Sequence, residues 1–379
     1  YREKLVVKRE IELINKSLHR YAIQVFHGHA RFVDPHTVVV SGVEGQSRLR
    51  LSADVFVVAV GTSPHRPPDV PFDRELVFDS NSILELPKMP RSMIVLGAGV
   101  IGVEYASIFA ALGLQVTMVD TRSELLPYLD REMAERLERE MRRLGMIIVH
   151  DEHYRTIERI EGERPMVRCE TRAGNVLEAD VLLYCVGRDG NTFDLGLDTI
   201  GIEPNSRGLL SVDEDFRTDH PHIYAVGDVI GYPALASTSM EQGRQAVRHA
   251  FGIPGPRCKT ELLPFAIYAV PEVSYIGETE EQLKERGVDY VIGRGRYDLN
   301  PRGQIIGDDG GLLKMLFERE SRELRGVHIV GSSASDLIHI GQAFLHANAT
   351  AIQIAQTLYN YPTLADLYRH AGLEAALSD

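Results

Sequence analysis

Cysteine is scarce. Only Cys169, Cys185 and Cys258 occur in 379 residues, and none stands in a CxxC or CxxxxC pair. That spacing excludes a disulfide framework, a zinc site and a local redox pair, so no metal is expected. Scattered thiols fit a reducing compartment, and the expected location is the cytoplasm. Basic charge is also short: 41 Lys and Arg face 54 Asp and Glu, for a net charge of -13. Phosphate-rich partners need clustered Lys and Arg, so neither nucleic acid nor an anionic membrane is expected as a partner. The basic group Arg136, Arg139, Arg142 and Arg143 is interleaved with Glu135, Glu138 and Glu140, the pattern of a solvated helix face. No long apolar run offers a membrane span, because the stretch from Met93 to Val119 is broken by Glu104, Gln115 and glycines. Signal-peptide features, low-complexity tracts and solenoid repeats are missing too.

What remains is an ordinary globular composition, 44% hydrophobic and 25% charged. At about 100–200 residues per domain, the length suggests two or three domains. The first residue is Tyr1 rather than Met, which hints at a fragment. Residues 1–20 read as a helix. Short strands follow at Ile23–Phe26, Thr37–Ser41 and Asp54–Val60, the last a nearly continuous apolar run ending at Gly61. After a proline-rich connection comes a βαβ unit: a strand at Ser92–Leu96, a glycine turn, a helix from Val103 to Leu112, and a strand from Leu114 to Val119. Arg131–Leu144 is an amphipathic helix, Met146–Val149 a strand, and residues 155–187 a meander with a turn at 172–175. Residues 188–257 read as a return to the first domain. From Cys258 the pattern becomes α+β.

The turn reads Gly97-Ala-Gly99-Val-Ile-Gly102. It follows a strand and opens a helix, and an acid, Asp120, stands about twenty residues on at a strand end, as a dinucleotide fingerprint requires. Gly97 permits the tight turn, Gly99 lets the backbone approach a pyrophosphate, and Gly102 allows close helix–strand packing. The helix N-terminus offers N–H groups and partial positive charge to phosphates. Asp120 is placed to accept from a ribose 2′-hydroxyl. Arg122 either receives a 2′-phosphate, giving use of both NAD and NADP, or is a surface loop charge. Two further strand ends carry glycine, Ala59-Val-Gly61 and Tyr224-Ala-Val-Gly227-Asp228. A carboxylate there can hold a sugar or ribitol hydroxyl, though aspartate after a strand is also a common turn former.

Together these residues resemble the FAD-dependent pyridine nucleotide-disulfide oxidoreductases over essentially the whole chain. Val186-Gly187-Arg-Asp-Gly-Asn-Thr192 resembles the segment returning from the NAD domain, and Pro271-Glu-Val-Ser-Tyr-Ile-Gly277 the start of the dimer-interface domain. The resemblance implies an α/β fold with two Rossmann-like dinucleotide-binding domains and a C-terminal α+β dimerisation domain. The expected bounds are 1–80 with 191–257 for FAD, an inserted 81–190 for NAD(P), and 258–379 for dimerisation. The family's first GxGxxG, which holds the FAD adenosine, has no counterpart after Tyr1, so a truncated FAD domain is expected. The helix that carries CxxxxC in disulfide reductases likewise has no counterpart.

The C-terminal segment Asn360-Tyr361-Pro-Thr-Leu-Ala-Asp366 departs from the His-Pro-Thr and Glu of disulfide reductases. Tyrosine, with an ordinary pKa of about 10, is a poor base near neutral pH. The nearby His370 reads as a surface histidine. The variant is similar to the soluble pyridine nucleotide transhydrogenases within the family. That resemblance implies hydride exchange between NADPH and NAD+ through FAD in a homodimer or higher homo-oligomer, with nicotinamide nucleotides as substrates. It further implies that Gly187 lines the NAD(P) site and that Asp228, Gly61, Leu235 and Ala236 line the FAD site, Leu235–Ser237 facing the flavin. Tyr361, in place of the family's histidine, would come from the partner subunit, and Asp366 stands in place of its glutamate; with Glu104 these are the catalytic candidates, the chemistry resting mainly on the flavin. Glu104 either touches the nicotinamide ribose or amide, or is a helix carboxylate with a structural partner. Two other readings stay open: a thiol-disulfide reductase like dihydrolipoamide dehydrogenase, and a non-catalytic NAD(P)-binding fragment.

Overall fold

A computed structural model describes residues 2–42, 48–255 and 262–378, so Cys258 and the boundary expected there lie outside the described residues. The chain divides into two compact units, one of residues 1–63 with 189–257, the other of 64–188 with 258–379.

In the first unit, helix Arg2–Arg20 is followed by the antiparallel strands His29–Asp34, Thr37–Ser41 and Leu49–Ser52. Strands Phe56–Val58 and Ile223–Ala225 pair in parallel. Phe32, Val58, Leu195, Leu197, Ile223 and Val229 form the core. Two expectations change here. Residues Ile23–Phe26 form no strand and are exposed; the Ile23 N–H donates to Leu18 O and finishes the helix instead. The run 54–60 keeps only three strand residues and is half-buried, because a single neighbouring strand pairs with it among the described residues.

The second unit carries a five-stranded, wholly parallel sheet in the order Val77–Asp79, Val181–Tyr184, Ser92–Leu96, Gln115–Val119, Ile147–Val149. Strand order reverses about Ser92–Leu96, and such a switch point opens a crevice at the carboxyl ends of the strands. Helix Val100–Ala111 follows that strand and buries Val103, Ala106, Phe109 and Ala110. Helix Arg131–Arg143 is capped by Asp130, which accepts from Glu132 N–H, and buries Met133, Leu137 and Met141. Its arginines divide: Arg142 and Arg143 pair with Glu138 and Glu140 on the surface, whereas Arg136 turns in to donate to Gly310 O. Strands Tyr154–Ile160, Met166–Thr171 and Val176–Ala179 make an antiparallel hairpin sheet.

The same unit contains an antiparallel five-stranded sheet, ordered Phe265–Ile267, Val273–Gly277, Leu324–Val330, Leu312–Glu318, Tyr290–Arg296. Helices Ala334–His346, Ala351–Gln356 and Leu367–Leu377 cover it over a core that includes Tyr297, Phe317 and Tyr368. No helix among the described residues is long and apolar enough to cross a membrane.

Candidate functional site

The switch point holds a groove of about 280 Å³ lined by Gly97, Gly99, Asp120, Thr121, Arg122, Glu152, Tyr154, Cys185 and Gly187. Local geometry explains the glycines. A Cβ on Gly102 would sit 1.9 Å from Gly97 O, and one on Gly97, where φ is +95°, would sit 2.9 Å from Cys185 O. Nothing lies within 4 Å of a Cβ position on Gly99. The turn is thus closed on its protein side and open on its groove side, as an approaching pyrophosphate requires. Gly99 caps the helix without a side-chain bond, leaving first-turn N–H groups available to an anion.

Asp120 is 4% exposed. Its Oδ2 accepts from Ala98 N–H at 2.6 Å and from Arg122 Nη2 at 2.6 Å, while Oδ1 accepts from Arg122 N–H and Nε. Burial pushes the carboxyl up; the Arg122 guanidinium and the two backbone N–H groups more than offset this and hold it below the ordinary range. Arg122 is partly exposed, so its guanidinium is accessible to a ligand while folded back on Asp120. The two residues read separately from sequence therefore form one ion pair at the groove's end.

Glu104 lies on helix Val100–Ala111, half-buried, and burial raises its carboxyl above the ordinary range despite the Tyr268 N–H bond on Oε1 at 2.8 Å. One oxygen thus has a structural partner, and Oε2 has no hydrogen bond to the described residues. Both described cysteines are unsuited to thiolate chemistry: burial pushes the Cys169 thiol up to about 11 and Cys185 up to about 12.

The first unit gathers the other glycine-bearing strand ends. Gly61 has φ +67° with open space around its Cβ position, and Gly227 has φ +77°. Thr62 Oγ1 donates to Asp228 Oδ2 at 3.4 Å, joining the two strand ends. Gly227 N–H donates to Gln242 Oε1 at 2.7 Å. Helix Ala236–Ala250 begins after Leu235 with no side-chain cap, and Ala236 and Ser237 are exposed. Thr238 and Ser239 hydroxyls both bond back to Leu235 O rather than to the first-turn N–H groups. A part-buried, carboxylate-bearing turn beside an open helix N-terminus suits a polyhydroxyl chain and an anionic ring, so these residues fit a flavin.

At the C-terminal end Tyr361 is 72% exposed, whereas Asp366 is 4% exposed and neutralised by Arg369 through two bonds of 2.7 and 3.0 Å. The expectation for His370 is corrected. It is half-buried with Nε2 3.3 Å from Asp366 Oδ2, because four residues of helix bring the two side chains together. Sequence reasoning missed Glu152 and Tyr154 in the groove. It also missed Lys314, fully buried, whose Nζ lies 2.8 Å from Asp130 and 2.5 Å from Glu280. Asp130, Glu132 and Glu280 bring carboxylate oxygens within 4.8 Å of one another, and Lys314 supplies their cation. A larger cavity, about 400 Å³, is lined by Glu124, Glu135, Glu138 and Glu281 together with Arg131 and His150, and carries none of the glycine-loop residues.

This pairing of a glycine-loop groove with a C-terminal antiparallel sheet has a family behind it. Residues 4–243 match the pyridine nucleotide-disulphide oxidoreductase family, and residues 263–371 match its dimerisation domain. The chain belongs to that family. Within it, the chain is 42% identical to the soluble pyridine nucleotide transhydrogenase of Mycobacterium tuberculosis over 97% of its own length and 78% of the relative's. It is also 42% identical to the enzyme of the same name from Chromohalobacter salexigens, over 98% and 80%. Among solved structures, LpdA from Mycobacterium tuberculosis superposes with a TM-score of 0.89 at 27% identity, over 98% of this chain and 81% of that one. The HOCl-induced flavoprotein disulfide reductase RclA from Escherichia coli does so with a TM-score of 0.86 at 27% identity, over 97% and 85%.

Proposed function

We propose that the chain catalyses hydride exchange between NADPH and NAD+, as a transhydrogenase of the Si-specific type acting in the cytoplasm as a homodimer. The observation that carries this reading is the Asp120–Arg122 ion pair lining one groove, a carboxylate suited to a ribose hydroxyl beside a guanidinium suited to a 2′-phosphate. The similarity to proteins named soluble pyridine nucleotide transhydrogenase supports it. Residues 81–190, with strand Val77–Asp79 of the same sheet, are assigned to NAD(P), the rest of 1–80 with 191–257 to FAD, and 258–379 to dimerisation.

FAD, when bound, supplies the hydride relay between the two nicotinamides. The chain's own residues bind and orient. Gly97, Gly99 and Gly102 admit the nucleotide pyrophosphate to the helix N-terminus. Asp120 accepts from the ribose of NAD(H), and Arg122 turns to the 2′-phosphate of NADP(H). Glu104, with Oε2 uncommitted, orients the nicotinamide end, and Gly187 keeps the groove wall low. Gly61 and Asp228 hold the ribitol, while the open N-terminus at Leu235 and Ala236 stabilises negative charge on the ring. No proton transfer is asked of Tyr361, and Asp366, tied to Arg369, orders the segment behind it.

An absorbance spectrum tests the reading. The chain with FAD should show a flavin band that bleaches with NADPH and returns with NAD+. Bleaching that NAD+ fails to reverse would overturn the transhydrogenase reading.

A further inference from the structure

The groove contains a second carboxylate that the dinucleotide fingerprint does not call for. Glu152 follows strand Ile147–Val149 and lines the groove with Asp120 and Arg122. Its N–H donates to Asp120 O at 2.9 Å, and Asp151 N–H donates to Arg122 O at 3.2 Å, so the two strand exits stay paired beyond the sheet. Glu152 is 7% exposed. Its Oε1 accepts from His153 N–H at 2.9 Å and from Ala173 N–H at 3.3 Å, and Oε2 lies 3.5 Å from Asn175 Nδ2.

All of these partners are neutral. Among the described residues no Lys or Arg pairs with this carboxylate, whereas the charge of Asp120 is matched by Arg122. Burial pushes the Glu152 carboxyl up, but the N–H donors, the Thr171 hydroxyl and the Asn175 amide outweigh it, so the group stays ionised at neutral pH. With Asp120 and Glu152 against Arg122, the groove carries one unmatched negative charge. A 2′-phosphate brings roughly -1.5 to -2 charges, as other phosphomonoesters do near pH 7, while a 2′-hydroxyl brings none.

We propose that Glu152 is a specificity-determining residue of this groove, which weakens NADP(H) binding electrostatically and so keeps the two nucleotides exchangeable on one site. This rests on the groove being the shared dinucleotide site. Arg122 attracts the 2′-phosphate and Glu152 opposes it. Removing the opposition raises NADP(H) affinity without touching any group that contacts NAD(H).

The test is fluorescence titration of NADPH and NADH into the whole chain at low and high salt. Glu152→Gln keeps the Oε1 acceptor and removes the charge. It should tighten NADPH by roughly five- to thirtyfold, the range for one unit charge near the phosphate in a partly exposed site. NADH should change less than about twofold, since its 2′-hydroxyl carries no charge for Glu152 to oppose. The gain should shrink in high salt. Glu152→Asp keeps the charge but disturbs the contacts to Ala173 and Asn175, and its NADPH-to-NADH ratio should stay near wild type. Equal changes for both nucleotides in Glu152→Gln, or a ratio shifted as far by Glu152→Asp, would overturn the inference. Failure of the wild-type chain to bind either nucleotide overturns the site assignment and this inference with it; binding of both with an unmoved ratio overturns this inference alone.

Discussion

Lys314 and Arg122 both answer carboxylates within the second unit, yet they do so under opposite conditions. Lys314 is fully buried, with Asp130, Glu132 and Glu280 gathered round its ammonium. Burial pushes that ammonium down, and the surrounding carboxylates more than offset it, so it stays charged. Arg122 answers Asp120 at the edge of a groove, with part of its guanidinium in solvent. In the buried cluster the three carboxylates are matched by three cations, with Arg294 on Glu132 and Lys284 on Glu280 beside Lys314. The open one is matched only until a ligand competes for either partner. A closed ion pair thus holds structure, and an accessible one can recognise.

That contrast is easiest to break at Lys314. Replacing it with Met strands Asp130 without a cation and leaves Glu280 with Lys284 alone, and should cost about 3–5 kcal/mol of stability, the range for halving a buried pair. Chemical denaturation checks this, and a loss under about 1 kcal/mol would mean the cluster is solvated in solution.

Acid should dissolve the same cluster. Burial raises the Glu280 carboxyl, but Lys314, Tyr290 and Lys284 bring it down to about 2 from an ordinary 4.5. A depressed folded-state value contributes stability in full above the unfolded value and loses it as pH falls through the folded one. Stability should therefore drop between pH 4.5 and about 2. Glu280→Gln, less stable at neutral pH, should show a shallower drop in that window when melting is followed against pH.

The smallest of these effects belongs to the open pair. Arg122→Met should weaken NADPH about tenfold, the worth of roughly one charge-assisted bond to phosphate. NADH should move far less. Calorimetric titration decides; equal loss for both nucleotides would show that Arg122 serves only to hold Asp120 in place.

Local features were readable in advance. Strand Ser92–Leu96 and helix Arg131–Arg143 follow from an apolar run, a 3.6-residue period and an aspartate cap, all encoded within about a dozen residues. The glycine turn was equally legible, since its spacing reflects close backbone contacts such as Gly102 on Gly97. Residues 23–26 misled because an apolar segment becomes a strand only when a neighbour pairs with it. Glu152 was invisible for a different reason. Its place beside Asp120 comes from parallel pairing of strands some thirty residues apart in sequence, and no motif marks that register. Lys314 likewise looked like one polar residue in an apolar strand, while its partner Asp130 lies 184 positions away.

The paired strand exits at 120–122 and 150–152 carry a last consequence. All three charged residues of the groove emerge from these two short stretches, outside the hydrogen-bonded ladder of the parallel sheet. Under the proposed assignment, nucleotide preference is a detachable trait of this scaffold. Selection, or a protein engineer, can rewrite it with two or three edits at the rim and leave the load of folding to the strands below.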